Sequence, residues 1–217
     1  TWHTLTFSNT YDDPVIIFGA VSYNSTDPVH VRVRNVSSGS AEYKLEEWDY
    51  QDGFHVTERL CYIVVERGTW ILPGGIRLEA GTIHTDQNWS SVSFMQSFST
   101  TPVTLTQVMS YNDRAAVITR VRGVDPQGFE VRLQEEEAND DIHGAEAIGY
   151  IAIEPTAGKN CGIIMEANMT GSVVGDAWYW IGFKMNYSND PIFIASCMSY
   201  NGDNTMHVRY NGLNTTG

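Results

Sequence analysis

The sequence predicts an all-β protein of tandem small antiparallel β-sandwiches, with about six strands in each. Two observations predict this fold: a repeat of about 88 residues, and strand-like alternation of apolar and polar residues between turn sequences. The repeat divides the 217 residues into a first unit at 1–87, a second at 88–176 and the first half of a third at 177–217. A half-unit lacks its partner sheet, so we expect a missing C-terminal segment or another subunit to complete the third unit.

The elements recur in the same order in each unit. A Trp-x-x-aliphatic-x-Phe strand opens the unit, and a Pro-led apolar strand that ends in Ser-Tyr-Asn follows. An alternating strand such as Val29–Arg34 comes next, and a near-continuous apolar run, 62–65 or 148–153, comes late in the unit. Side chains of alternating strands point to opposite faces, which predicts one core face and one solvated face. Turn sequences rich in Gly, Pro, Asn and Asp separate the strands.

Composition excludes several function classes. The formal net charge of −13 opposes binding to a phosphate backbone, so we expect no nucleic-acid partner. No apolar run is long enough for a transmembrane segment. The sequence contains no nucleophile elbow, zinc-protease motif or phosphate loop, and an active site rarely occurs as adjacent, diverging copies. We therefore expect a protein that is not an enzyme.

Several motifs of the repeat unit match a known family. The second unit contains Pro-Val at 102–103, Arg-Val at 120–121, Val-Asp-Pro-Gln-Gly-Phe at 124–129 and Tyr-Ile-Ala-Ile-Glu at 150–154. The first unit contains Pro-Val at 14–15, Arg-Val at 32–33 and Tyr-Ile-Val-Val-Glu at 62–66. In these motifs the unit resembles the H-type lectin domain of snail agglutinins.

The resemblance implies an H-type lectin-like sandwich that assembles as a trimer and binds GalNAc-like sugars at subunit contacts. Three tandem units would form such a trimer within one chain. The family's ligand-binding Arg falls on Pro28, Ala116 and Thr205, and its Trp-His pair falls on Trp48-Asp49 and on Glu136-Glu137.

The segment 46–55 is the richest candidate for ligand binding. Carboxylates accept hydrogen bonds from sugar hydroxyls while an aromatic ring covers the sugar's C–H face, and this segment contains both groups. We expect Trp48, Asp49, Asp52 and His55 to bind carbohydrate. In the second unit, the candidates are Glu136, Glu137 and His143. The alternative is a solvated loop around one core tryptophan.

Two further features concern the acidic residues around these candidates. His55 with Glu58, and His143 with Glu146, share a three-residue spacing, for which we expect a structural role such as fastening a loop. The carboxylates between 135 and 141 are an alternative site for calcium, the one cofactor considered, although their spacing matches no EF-hand.

The cysteines and the glycosylation sequons indicate in which cellular compartment the protein is found. Cys61, Cys161 and Cys197 have no metal-site spacing, and we expect Cys61 and Cys197 to be buried thiols. Six Asn-x-Ser/Thr sequons predict a glycosylated, secreted or cell-surface protein. Their asparagines are Asn24, Asn35, Asn88, Asn168, Asn186 and Asn214. The first functional hypothesis is therefore an extracellular, lectin-like module with glycans as partners. The second is a structural or adhesive surface glycoprotein whose units serve as assembly modules without binding sugar.

Overall fold

The computed structural model describes residues 1–160 and 162–217, so the prediction for Cys161 lies outside the described residues. The prediction of an all-β fold is confirmed: sixteen strands and no helix occur within the described ranges. No helix there is long and apolar enough to cross a lipid bilayer. The strands of the first unit are β1 (His3–Thr6), β2 (Pro14–Phe18), β3 (Val21–Ser22), β4 (Val29–Arg34), β5 (Ser40–Glu47), β6 (Tyr62–Glu66), β7 (Gly68–Leu72) and β8 (Ile76–Thr85).

The remaining strands follow the repeat until the third unit. They are β9 (Ser90–Ser93), β10 (Val103–Val108), β11 (Val117–Arg122), β12 (Gly128–Glu135), β13 (Glu146–Ile153), β14 (Thr156–Asn160), β15 (Ile163–Ala167) and β16 (Arg209–Tyr210). In the third unit only β16 forms within the described residues after 177. Of the strand-like run 206–210, only Arg209–Tyr210 forms a strand.

Two small sheets make up most of the second sandwich. One has the order β10-β13-β8-β7 and the other the order β11-β12-β9, all in antiparallel pairs. The alternation predicted for β12 is observed, since Phe129, Val131 and Leu133 are buried in the core of this sandwich. Strand β8 precedes the predicted boundary at 87 but pairs with β13 from Leu78 to Thr85. Hydrogen bonding between strands therefore crosses that boundary.

Three arginines at equivalent positions of the repeat join the units into a closed ring. Each guanidinium donates to two backbone carbonyls of the turn after Ser-Tyr-Asn in another unit. The pairs are Arg32 with Asp113 and Ala115 (3.3 and 2.9 Å), Arg120 with Gly202 and Asn204 (3.1 and 2.7 Å), and Arg209 with Ser25 and Asp27 (3.4 and 3.0 Å). Because Arg209 of the third unit reaches the first unit, the three units contact one another in a cycle.

Aromatic contacts follow the same cycle. The opening tryptophan of each unit meets the Ser-Tyr-Asn tyrosine of another unit edge to face, an arrangement that favours aromatic pairs. The ring centroids are 5.2 Å apart for Trp2–Tyr111, 5.2 Å for Trp89–Tyr200 and 5.0 Å for Trp178–Tyr23. Each tyrosine ring also lies under one of the three arginines, at 4.7, 4.5 and 5.0 Å. The junctions are thus built from repeated residues, and equivalent positions at different junctions are directly comparable.

The three units also meet around a central cavity of about 100 Å³. Equivalent segments of each unit line it: 18–21 with 29–31, 106–108 with 117–119, and 195–197 with 206–208. Cys61 is buried, as predicted, and Cys197, which lines this cavity, is half-buried. Burial raises the pKa of the Cys197 thiol, so this cysteine stays protonated at neutral pH.

Candidate functional site

The carboxylates predicted to bind ligand lie at the junctions between units. Asp49 of the first unit accepts hydrogen bonds from the backbone N–H of Ala116 (3.2 Å) and the side-chain amide of Asn139 (2.9 Å). At the next junction, Glu137 accepts from the backbone N–H of Thr205 at 2.6 Å. The lectin resemblance singled out these positions as separate parts of a sugar site. In the structure Asp49 contacts Ala116, and Glu137 contacts Thr205, so that these residues join one unit to the next.

Trp48 fills the junction between the first and second units. Its side chain is 5% exposed and packs against Ala116 and Ile118 of the second unit. The rings of His30 and His207 lie near it, with centroid distances of 4.9 and 6.1 Å. The Trp48 ring is therefore part of the core between units and offers no open face on which a sugar ring stacks.

Glu136 occupies the position of Trp48 in the second unit, 88 residues later. A carboxylate is much smaller than an indole, and the corresponding junction between the second and third units contains an open pocket of about 340 Å³. The pocket is lined by Arg132, Gln134, Glu135, Glu136, Glu137, Asn139, Asp141, Tyr200 and Asp203. We call this the junction pocket.

The carboxylate of Glu136 stands out among the groups of the junction pocket. Its side chain is 4% exposed, yet it makes no hydrogen bond or ion pair with any residue in the described ranges. The residue is little exposed as a whole, but its carboxylate oxygens keep some contact with solvent through the open pocket. Glu136 thus presents unused acceptor capacity to the pocket.

Arg132 and Tyr200 supply the other functional groups of the pocket wall. The Arg132 guanidinium donates to the Tyr200 hydroxyl at 3.2 Å and lies 3.7 Å from the Asp141 carboxylate. Its Nε and one oxygen of Asp141 have no hydrogen-bond partner among the described residues. Donors, acceptors and the edge of an aromatic residue therefore converge on one cavity. Sequence reasoning singled out Tyr200 only as a copy of a repeated motif, considered Asp141 only for calcium and missed Arg132.

His55 and His143 each lie between two carboxylates. The Nδ1 atom of His55 is 2.9 Å from Glu47 and its Nε2 is 3.2 Å from Glu58. In the second unit, His143 lies 2.7 Å from Glu135 and 3.5 Å from Glu146. Burial alone would lower the pKa of His143, but these carboxylates outweigh burial and raise it.

The same carboxylates fasten the turns that receive the arginines. Glu58 accepts from the backbone N–H of Asn24 at 2.9 Å, from the hydroxyl of Ser22 and from Arg209 at 2.8 Å. Glu146 likewise accepts from the backbone N–H of Asn112 at 2.8 Å. The two histidines therefore act within networks that hold the unit junctions together, the role expected from their spacing.

One trio of potential metal ligands occurs in the described part of the chain. Ligand atoms of Asp27, Glu47 and His55 lie within 4.8 Å of one another. Glu47 and His55 already bond to each other, and Asp27 accepts from Ser25 at 3.0 Å. The carboxylates at 135–141, considered above for calcium, do not form such a trio among the described residues. Calcium binding there stays a prediction.

Asp52 and the sequon asparagines lie mostly at the surface. Asp52 is exposed and accepts the backbone N–H of Phe54 at 2.8 Å, which closes a local turn. Five of the six sequon asparagines are exposed, and Asn214 is half-buried. The Nδ2 atom is the one that a glycan would occupy. In Asn24 and Asn35 it donates within the protein, to Thr57 at 2.9 Å and to Glu42 at 2.8 Å.

The chain is similar in sequence to part of a known protein. No protein-family model matches the chain, and no solved structure matches it. Over 232 aligned residues it is 31% identical to Halomucin of Haloquadratum walsbyi. The alignment covers all of this chain but only 2% of Halomucin. The chain is thus similar to a short segment of a much longer protein.

Proposed function

We propose that the chain is an extracellular carbohydrate-binding module whose ligand site is the junction pocket. The observation that carries the proposal is the polar, partly unpaired wall of this pocket around the buried Glu136 carboxylate. Its volume of about 340 Å³ lies at the lower end of the range for small-molecule sites, roughly 300–1,000 Å³. A compact polyol suits this size and the mixture of donors and acceptors.

Individual side chains support the assignment to carbohydrate. Glu136 and Asp141 offer acceptors for sugar hydroxyls, while Arg132 and Asn139 offer donors. Tyr200 contributes a hydroxyl, which accepts from Arg132 at 3.2 Å. The lectin resemblance places its sugar at subunit contacts, and the junction pocket is a contact of this kind. The specificity of that family does not transfer, because Pro28, Ala116 and Thr205 stand where its arginine would be.

The extracellular setting rests on other observations. The matching segment belongs to a protein named Halomucin, and the name indicates a mucin. Exposed sequons at Asn88, Asn168 and Asn186 fit a glycosylated surface protein as well. The chain corresponds to only 2% of Halomucin. We therefore propose a setting for this segment only, and no activity or partner for a whole protein.

A glycan-array screen tests the function directly. The wild-type protein and Glu136→Trp are applied with and without calcium, and the circular dichroism of both is measured first. The tryptophan is expected to fill the pocket as Trp48 fills the preceding junction, so the variant should fold and lose the signal. Trp48→Ala should retain any specific binding if it stays folded. Binding by the wild type that survives Glu136→Trp would place the sugar elsewhere.

A structural or adhesive module is the second candidate, and the closed ring of arginine contacts favours it. In this alternative, the units provide a rigid body within a long repetitive protein, and the junctions serve assembly alone. Folded wild-type protein that binds no glycan on the array would reject the lectin assignment and leave the assembly role. Both candidates assign no catalytic step to any residue.

A further inference from the structure

The junction pocket carries a surplus of negative charge. Its lining contains one guanidinium, that of Arg132, and five carboxylates: Glu135, Glu136, Glu137, Asp141 and Asp203. Three of the five are engaged: Glu135 with His143 at 2.7 Å, Glu137 with the N–H of Thr205 at 2.6 Å and Asp141 with Arg132 at 3.7 Å. Glu136 and Asp203 have no cation partner among the described residues. The local field therefore favours a positively charged group in the pocket.

Within the pocket, a positively charged group is favoured most at Glu136. Asp203 is exposed and its charge is screened by water, whereas Glu136 is buried and has no partner in the described part of the chain. A buried carboxylate gains most from an ammonium or guanidinium group at hydrogen-bond distance. The residues of the pocket do not provide one, because Arg132 is engaged with Tyr200 and Asp141.

A single metal ion does not fit this arrangement well. Carboxylate oxygens that bind one calcium lie within a few Å of each other, since each is about 2.3–2.6 Å from the ion. Among the described residues, the one trio of ligand atoms this close is Asp27, Glu47 and His55, outside the pocket. The unpaired carboxylates around the pocket are too dispersed, so the positive charge is better supplied by part of a larger ligand.

We infer that the junction pocket selects cationic amino sugars, in which a free ammonium group replaces a hydroxyl or an acetamido group. This inference rests on the proposed carbohydrate-binding function and specifies its ligand class. The ammonium group pairs with Glu136, and the hydroxyls bond to Asn139, Asp141 and Arg132. An N-acetylated sugar is neutral and places a bulky amide where the ammonium group would sit. Sulfated and carboxylated sugars are repelled by the same wall.

The first junction provides an internal reference for this selectivity. Trp48 stands there in place of Glu136, and its indole ring is buried against Ala116 and Ile118. The amine-selective pocket is therefore expected at the second junction and not at the first. The substitution Glu136→Trp reproduces the first junction, while Glu136→Gln retains the shape of the pocket and removes its charge.

Calorimetric titration with matched oligosaccharides tests the inference. Glucosamine oligomers and their N-acetylated counterparts are compared at about pH 6, where amines of this class are protonated. The wild type is expected to bind the free-amine oligomer about tenfold more tightly or better, since hydrogen bonds between charged groups are stronger than those between neutral groups. Glu136→Gln should reduce this preference to near unity, and Glu136→Trp should abolish binding of both.

The control is Asp176→Asn, which removes one negative charge from an exposed residue outside the pocket. It should leave the preference unchanged, whereas general attraction of cations to an acidic protein would weaken it as much as Glu136→Gln does. Equal binding of the amine and acetylated oligomers would overturn the inference while carbohydrate binding stands. No binding of either oligomer, or of any glycan on the array, would overturn both.

Discussion

Trp48 and Glu136 occupy the same position of the repeat and have opposite physical demands. The indole of Trp48 gains free energy when it leaves water, and it does so against Ala116 and Ile118 of the next unit. Glu136 is also little exposed at the corresponding place, and its carboxylate has no partner among the described residues. The same position of the repeat therefore belongs to a packed core at one junction and lines a pocket at the other.

Replacement of Trp48 by alanine tests its role in the first junction. We expect Trp48→Ala to lower the free energy of unfolding by about 3–5 kcal/mol, because it leaves a large cavity between two units. Trp180 is 63% exposed, and Trp180→Ala should cost less than about 1 kcal/mol. Urea denaturation followed by circular dichroism measures both, and equal losses would contradict a core role for Trp48.

His207 makes stability depend on pH. Burial, together with the neighbouring His30, Arg209 and His55, lowers the pKa of His207 from an ordinary value of 6.5 to about 3. Below pH 6.5 His207 is protonated in the unfolded chain but stays neutral in the folded protein. The free energy of unfolding therefore falls as the pH decreases towards 3. His143, with a raised pKa, has the opposite effect: its contribution is lost as the pH rises.

The second unit suggests the variant that isolates the effect of His207. Ile118 is its counterpart there, so His207→Ile places a residue already used at the central cavity. Between about pH 7 and pH 5, the wild type should lose roughly 1–2 kcal/mol more stability than the variant. Chemical denaturation at the two pH values measures the difference. Parallel losses in the two proteins would show that His207 titrates normally.

At the scale of elements, close approach between strands explains where glycine is needed. Gly81 of β8 lies directly opposite Tyr150 of β13, whose ring covers the glycine and whose hydroxyl donates to Glu79 at 2.9 Å. A Cβ atom at position 81 would lie 2.5 Å from Cζ of the tyrosine. This pairing joins the end of the first unit to the sheet of the second.

Gly81→Ala should therefore destabilise the protein by about 1–3 kcal/mol, because the Tyr150 ring must move and its bond to Glu79 weakens. Gly158 in β14 has open space around the corresponding Cβ position, so Gly158→Ala should change stability by no more than about 0.5 kcal/mol. Thermal unfolding compares the two variants. A tolerated alanine at 81 would show that the tyrosine ring is not held in place.

At the scale of the whole molecule, the repeated arginines convert a linear chain into a ring. Arg209 completes the cycle: it donates to the carbonyl of Ser22 at 2.8 Å and pairs with Glu58 at 2.8 Å. Strand β16 also pairs with β3 in parallel, which joins the third unit to the first by backbone hydrogen bonds. Side-chain and backbone contacts thus close the ring at the same place.

Removal of the Arg209 side chain should open this last junction. Arg209→Ala leaves Glu58 and the carbonyls of the receiving turn without their donor, a loss of about 3–5 kcal/mol for a buried charged group. We expect a larger radius in small-angle X-ray scattering and faster proteolysis of the third unit. Arg122 forms an exposed pair with Glu130 inside one unit, and Arg122→Ala should leave the radius unchanged. An unchanged radius for Arg209→Ala would contradict the role of this arginine in closure.

The sequence by itself determined the repeat, the all-β class and the faces of the regular strands. Alternation in β12 shows which side chains are buried, because strand geometry is local and has a period of two. In β4 the prediction of a solvated face is wrong: His30 and Arg32 are buried as well, because that face of the strand meets the other units. It also located Glu136 and Glu137 as candidates. The three-residue spacing of His55 and Glu58 indicated a fastened loop, for the bonds involved lie within a short segment.

Only the tertiary structure decided which of these residues share a site. Tyr200 and Asp203 reach the junction pocket from the third unit, more than sixty residues from Glu136 along the chain. The packing of Trp48 against the second unit, the pairing of β8 with β13 and the closure by Arg209 are likewise contacts between distant segments. Periodicity and spacing describe neighbours in sequence, whereas a pocket between units depends on how the units are oriented when their surfaces pack.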